Sequence, residues 1–293
     1  MTKAGFVTLV GRPNAGKSTL LNRLVGERLA IVSPKPQSTR DRVVGILSDA
    51  DTQLVFLDTP GLLEPRYDLQ RAMQHAAELA ITDADVLIHL VDANDEVEKA
   101  IAEFTARPRK SHAPLIRVLN KVDRLDGGVR MTLEAAHPEA AFVSAETGEG
   151  VAELLSRVRA VLPEHPFLYD AEDVSTQQMR FFVREFLRET VLEHLEDELP
   201  YGIAVEIEEY REGKVPVYIR AVMHVERESQ KRIVIGAGGS RIREIGKATR
   251  AKIEPLVGGR VFLDLWVKVL PNWRRNAAAL ARLGYRLPDS TAR

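Results

Sequence analysis

The sequence contains no cysteine. That excludes disulfides, cysteine nucleophiles and thiolate metal sites, and it makes a reducing cytosol the natural setting. No stretch approaches the roughly 20 consecutive apolar residues that a membrane-spanning helix needs. The opening MTKAGFVTLVGRP runs from a short apolar stretch straight into a glycine turn and has no small-residue cleavage site. It reads as a first strand and not as a signal peptide. Internal repeats and low-complexity tracts are missing too. What remains is an ordinary globular composition, 45% hydrophobic, over 293 residues, a length that suits about two domains.

Net charge is nearly absent as well, at −1, but its distribution is uneven. Residues 185–212 hold ten Asp/Glu against two arginines, and residues 227–252 hold eight Lys/Arg against two glutamates. A neutral total with a local basic block is compatible with a nucleic-acid site that the bulk pI would hide.

Strand-like runs at 5–10, 52–58, 84–92, 113–120 and 140–144 are mostly continuous and apolar, as expected for strands covered on both faces. Helix-like segments intervene at 17–25, 68–80, 95–106, 130–136 and 150–161. This alternation predicts an α/β domain over 1–165, with a mostly parallel sheet and helices on both faces. The stretch 163–176, with two prolines and several acids, reads as a linker, most simply residues 166–175. A second, α+β domain over 176–293 follows: a helix at 176–198, a hairpin of strands 203–210 and 215–225 around YREGKVP, a turn and helix across 229–256, a strand at 260–270 and a last helix near 272–283.

GRPNAGKS, from Gly11 to Ser18, has the spacing of a phosphate-binding loop and sits between a predicted strand and a predicted helix. Its backbone N–H groups can curl around phosphate oxygens at the helix N-terminus, with Lys17 on the β- and γ-phosphates and Ser18 on Mg²⁺. Alone it leaves ATP, GTP and kinase readings open. LDTPG (57–61) would bring Asp58 towards the Mg²⁺ and the Gly61 N–H towards the γ-phosphate, although a strand ending in a Pro-Gly turn is common. LNKVD (119–123) selects the base. Asp123 can accept from guanine N1–H and N2–H, a donor pair that adenine lacks, while Asn120 and Lys121 brace the pocket. In VSAETGEG, Ser144, Ala145 and Glu146 would close over the base.

GRPNAGKS, Thr39, DTPG, NKVD and SAE, in that order, resemble the TRAFAC class of translation-factor-like GTPases. The resemblance implies catalytic roles for Lys17, Thr39 and Gly61, and Mg²⁺ held by Ser18, Thr39 and Asp58. It implies a GTP/GDP site built from Gly11, Arg12, Pro13, Asn14, Ala15, Gly16, Lys17, Ser18 and Thr19, then Asp58, Thr59, Pro60 and Gly61, with the base-side residues Asn120, Lys121, Asp123, Ser144, Ala145 and Glu146. Leu62 stands where Ras-like proteins place a water-orienting glutamine, so a slow intrinsic rate is expected, raised by a partner or a cation. Asn14 matches an asparagine that in related GTPases helps hold K⁺.

The second glycine-rich loop, VIGAGGSRI, lacks a Lys-Ser pair and so lacks ligands for a triphosphate. It resembles the GXXG loop of a KH domain, which clamps a single-stranded nucleic-acid backbone between two helices. The element order after 176 is similar to the type II KH arrangement. The RNA surface is then expected from Lys231, Arg232, Ile235, Gly236, Ala237, Gly238, Gly239, Arg241, Arg243 and Lys247, joined by Trp273, Arg274 and Arg275. For Trp273 and its two arginines, packing of the last helix is an equal alternative.

The whole chain, with KPQSTR, RESQKRIVIG and NWRRN…LGY, resembles the Era-like family of bacterial GTPases with a C-terminal type II KH domain. That resemblance implies binding near the 3′ end of 16S rRNA and a role in assembly and maturation of the small (30S) ribosomal subunit by a cytoplasmic monomer. Family members are also described as peripheral at the inner face of the cell membrane, though no amphipathic anchor in the sequence argues for it. Rival readings are a KH scaffold whose GTPase cycle serves another RNA or partner, an RNA-modifying enzyme, and a passive scaffold with a degenerate nucleotide site. Ala237 departs from a loop position often basic in the family, and LPNWRRN lacks lysines common before the tryptophan; both lower the expected RNA affinity.

Overall fold

The structure is a computed structural model that describes residues 1–107, 111–213 and 215–288. Lys214, within the expected hairpin turn, and the last five residues of the expected second domain lie outside the described residues. The chain divides into two compact units: Met1–Glu64 with Met73–Thr176, and Pro65–Ala72 with the chain from Gln177 onward.

The first unit alternates β1 (Lys3–Gly11), α1 (Lys17–Val25), β2 (Val43–Ser48), β3 (Thr52–Asp58), α2 (Asp68–Thr82), β4 (Val86–Asp92), α3 (Val97–Thr105), β5 (Leu115–Asn120), α4 (Gly127–Ala136), β6 (Ala141–Val143) and α5 (Val151–Val161). The first turn of α2 belongs to the second unit. The sheet order is β2-β3-β1-β4-β5-β6, parallel throughout except for the edge strand β2. The inner strands are buried almost without interruption because helices cover both faces, which is why they read as continuous apolar runs. The chain leaves β1 towards β3 on one side and β4 on the other. The strand ends Gly11, Asp58, Asp92 and Asn120 therefore gather along one edge, where sheets of this kind bind ligands.

β2 is absent from the sequence expectations. Its VVGILS run is short, is interrupted by Gly45 and follows a polar loop. Gly45 lets α1 pack closely on the strand: a Cβ would lie 2.7 Å from a Val25 methyl and 2.8 Å from a Leu21 methyl, so any larger residue would force those side chains to shift. The stretch expected as a linker forms no helix or long strand, but it is not loose. The buried Gln53 accepts from the N–H groups of Leu168 and Tyr169 at 2.7 and 2.9 Å, and Ser175 donates to the Val44 carbonyl at 2.6 Å.

The second unit contains α6 (Met179–His194), β7 (Ala204–Arg211), β8 (Val217–Val225), α7 (Glu228–Ile235), α8 (Ser240–Val257), β9 (Val261–Val269) and α9 (Ala277–Arg282). β7 and β8 form the expected antiparallel hairpin, and β9 returns parallel to β8 over nine residue pairs, the strand order β7-β8-β9. α6 is shorter than expected at both ends. The acidic block on it is partly internal. Glu185 and Glu189 are buried, Arg188 donates to Glu185 at 2.8 Å, and Lys252 from α8 bonds Glu189 at 2.9 Å. Pairing makes this burial tolerable, and sequence composition alone does not reveal it. On β9, Phe262 and Trp266 point away from the buried side and are 56% and 52% exposed.

Candidate functional site

β1 ends at Gly11 and α1 begins at Lys17, so the loop between them is pinned at both ends. Gly16 caps α1 in the left-handed region, φ 97°, and any Cβ there would collide with the Asn120 side chain. Asn120 uses that closeness. Its Nδ2 donates to the Ala15 carbonyl at 2.8 Å and its Oδ1 accepts from the Ala145 N–H at 3.0 Å. One side chain thereby joins the phosphate loop to the SAE loop. Lys121, at φ 67°, forms an ion pair with Asp92 at 2.6 Å, which fixes the turn that carries Asp123.

A cavity of about 330 Å³ lies over this edge. It is lined by Pro13, Asn14, Gly16, Lys17, Ser18, Thr19, Thr39, Gly61, Lys121 and Glu146 among the expected residues. Ala15, Asp58, Asn120 and Ser144 stand behind it as its buried support, and Thr59 donates to the Leu9 carbonyl at 2.8 Å. The Arg12 guanidinium turns away from the loop, donating to Glu103 of α3 at 3.0 Å and to Asp95 at 3.4 Å, and leaves the Arg12 backbone as its part of the loop. The wall also includes Ile31, Val32, Ser33, Pro34, Gln37 and Ser38, and Arg124, none of them given a site role from the sequence. Gln37 and Ser38 fall within the KPQSTR stretch that carries the resemblance; for the others the signal was position alone, shortly before Thr39 or just after Asp123.

Lys17 is buried and donates to the carbonyls of Gly11 and Arg12 at 3.2 and 2.9 Å. Burial lowers its pKa from 10.5 to about 8, with the Asp58 charge pulling the other way. Asp58 is fully buried, and burial raises its pKa against the opposing effects of Lys17, Ser18 and Thr39. Ser18 donates to Asp58 Oδ2 at 2.6 Å and lies 3.0 Å from the Thr39 hydroxyl. Asp58 Oδ1 is a buried oxygen with no hydrogen-bond partner. An orphaned carboxylate oxygen beside two hydroxyls, with no sulfur or imidazole, is a donor set suited to a small hard cation such as Mg²⁺. The DTPG turn docks on the phosphate loop: Leu62 N–H donates to the Gly11 carbonyl at 3.2 Å, and a Cβ on Gly61 would lie 2.7 Å from Pro13 N. The Leu62 side chain packs with Val10, Ile81, Leu87 and Phe104.

In the second unit, α7 stops at Gly236, φ 74°, and α8 starts after Gly239, φ 78°. A Cβ on Gly236 would meet Arg241 at 2.8 Å, while Ala237 and Gly238 stand exposed. Arg241 donates to the Ile233 carbonyl at 3.2 Å and Arg243 to the Gly238 carbonyl at 2.8 Å, so both cations brace the loop they flank. Lys247, Arg232 and Arg275 are exposed; Lys231 and Ile235 are half-buried. Trp273 is a correction. It is fully buried, its Nε1 donates to the Gly202 carbonyl at 2.9 Å, and its ring stacks on Tyr285, so it packs the C-terminal segment and offers no face to a base. Arg274 is held by Glu226 at 2.5 Å. A cavity of about 650 Å³ beside α7 touches Arg241 and Arg274, but Glu196, Asp197 and Glu198 form its other wall and repel a phosphate backbone.

A family model described as a 50S ribosome-binding GTPase matches residues 6–121, and a KH domain model matches residues 198–274. GTPase Era of Carboxydothermus hydrogenoformans is 39% identical over 97% of this chain and 98% of its own length. GTPase Era of Geobacter metallireducens is also 39% identical, over 97% and 98%. A crystal structure of a point variant of Aquifex aeolicus Era bound to GDP and tetrafluoroaluminate is similar at TM-score 0.90 and 34% identity, covering 98% of this chain and all of that one. A crystal structure of Era with MgGDPNP and nucleotides 1506–1542 of 16S ribosomal RNA is similar at TM-score 0.89 and 34% identity, with the same coverage.

Proposed function

The chain belongs to the Era family of GTPases, and from that premise we propose that its two units form one switch, which hydrolyses GTP in the first and clamps single-stranded RNA in the second. The proposed target is the 3′ end region of 16S rRNA, and the setting is assembly and maturation of the small ribosomal subunit. The relative whose crystal structure holds nucleotides 1506–1542 supports that target. The observation that carries the reading is the coexistence of the Lys17–Ser18–Thr39–Asp58 cluster with an exposed glycine loop between two helices.

The reaction is GTP + H₂O → GDP + phosphate. Lys17 exchanges two loop carbonyls for phosphate oxygens, and loop N–H groups hold the rest. Ser18, Thr39 and Asp58 would hold Mg²⁺, which when bound neutralises charge on the β- and γ-phosphates. Gly61 offers its N–H to the γ-phosphate. Asp123 reads guanine N1–H and N2–H, Asn120 and Lys121 brace it, and Ser144, Ala145 and Glu146 close the base side. The segments around Thr39 and Gly61 order on the γ-phosphate and relax after hydrolysis. In the second unit Gly236, Ala237, Gly238 and Gly239 admit the RNA backbone closely, with Lys231, Arg232, Lys247 and Arg275 as its cations.

Two finer points belong to the same reading. Asn14 donates to the Pro34 carbonyl at 3.0 Å, leaving its Oδ1 to serve K⁺ against the phosphates; equal turnover in K⁺ and Na⁺ buffers would remove that role. The protein works as a cytoplasmic monomer on the ribosomal subunit, and flotation with anionic vesicles tests peripheral attachment to the inner face of the membrane. No helix among the described residues is long and apolar enough to cross a membrane.

The central test is affinity for a single-stranded RNA matching the 3′ end of 16S rRNA, measured with GDP and with a non-hydrolysable GTP analogue at one salt concentration. Tighter binding with the analogue is expected. Equal binding would remove the switch, and no binding in either state would overturn the RNA assignment.

A further inference from the structure

Hydrolysis needs a group that holds the attacking water, and in Ras-like enzymes a glutamine after the DxxG turn does this. Here that position is Leu62, whose side chain is committed to the apolar cluster of Val10, Ile81, Leu87 and Phe104. A water-holding group supplied by this chain then comes from elsewhere, and a carboxamide, with both an acceptor and a donor, suits water and phosphate together. Two line the nucleotide cavity, Asn14 and Gln37. The Asn14 amide is directed at the Pro34 carbonyl, 3.0 Å away, which ties the phosphate loop to the segment carrying Gln37. Gln37 precedes Thr39 by two residues, at most about 7 Å of extended chain. The Thr39 hydroxyl in turn lies 3.0 Å from Ser18 and 3.4 Å from Asp58. Gln37 is thus confined to the phosphate end of the cavity. Its backbone is left-handed, φ 60°, a conformation that non-glycine residues keep where their surroundings impose it and that concentrates at functional sites.

We propose that Gln37 is the catalytic residue that orients the hydrolytic water. Its Oε1 accepts a hydrogen bond from the water while its Nε2 donates to a γ-phosphate oxygen. The water oxygen forms the new bond to phosphorus as the bond to the bridging oxygen of GDP breaks, and the water protons leave with phosphate and solvent. The proposal rests on the reading of this cavity as the GTP site.

The test uses the full chain with Mg²⁺ and compares wild type, Gln37→Ala and Gln37→Glu in three measurements: single-turnover GTP hydrolysis, affinity for GDPNP, and affinity for GDP with fluoroaluminate. Both variants are expected to lose hydrolysis about a hundredfold. Gln37→Ala should keep GDPNP affinity within about twofold, as expected of a group that acts in the transition state, and both variants should lose the fluoroaluminate complex. Gln37→Glu preserves side-chain size but sets a carboxylate against the γ-phosphate, so its GDPNP affinity is expected to fall, and its loss of hydrolysis at saturating GTP excludes a cavity effect. Wild-type hydrolysis rates in either variant would overturn the proposal, and so would parallel losses of GDPNP affinity and rate in Gln37→Ala, which mark a ground-state contact. Failure of the wild type itself to bind GDPNP would strike the GTP-site reading instead.

Discussion

Lys17 holds its charge in a place that disfavours charge until phosphate arrives. Its pKa in the nucleotide-free fold, about 8, lies below the unfolded value of 10.5. Below pH 8 the buried ammonium therefore opposes folding, and that opposition fades as pH rises from 8 towards 10.5. Phosphate oxygens favour the ammonium, so above pH 8 the protein must take up a proton to bind nucleotide. GDP affinity is expected to be flat below that point and to fall above it by up to about tenfold per pH unit. Titration calorimetry between neutral and alkaline pH checks this, and Lys17→Ala should lose the slope together with most of the affinity. At this scale, residue types and spacing were legible in the sequence, but directions were not. Arg12 sits inside the phosphate-loop motif and still turns away, because Glu103 on α3 and Asp95 in the turn before it place two carboxylates behind the loop.

Elements were legible where their apolar pattern was long. The parallel strands and α5 follow it closely, whereas β2 is short, glycine-interrupted and antiparallel, and takes its register from β3 rather than from its own composition. The segment around Trp273 shows the other limit. A tryptophan flanked by two arginines has the composition of a nucleic-acid contact, yet its burial depends on where Gly202 and Tyr285 fall in space. Trp273→Phe keeps most of the ring and leaves the Gly202 carbonyl without its donor, which should cost about 1–3 kcal/mol of stability. Chemical denaturation measures that cost. RNA affinity of the folded variant should not change, and a selective loss of RNA binding would return the residue to the interface.

For the whole molecule, the two-part architecture was readable because two glycine loops stand in different company, one followed by Lys-Ser and one embedded in a basic block. The finer partition was not. Pro65–Ala72 follows the DTPG turn in the chain but belongs to the second compact unit, and no local pattern announces it. If nucleotide state alters RNA affinity, RNA must alter nucleotide affinity by the same factor, so GTP-analogue binding should tighten when the 16S rRNA segment is present. Nucleotide titrations with and without that RNA measure the factor, and a ratio of one would mean that the two sites act independently.

The placement of the tryptophans has an optical consequence. The chain has two, Trp266 and Trp273, and both belong to the second unit. One indole is half in water and the other is sealed, 52% against 0% exposed. The emission should therefore be a red-shifted band that external quenchers reach, superimposed on a blue-shifted band that they do not. The phosphate site is dark by comparison. Any change in that spectrum when GTP replaces GDP originates in the unit that holds the KH match, so the protein carries its own label-free reporter of signal transmission.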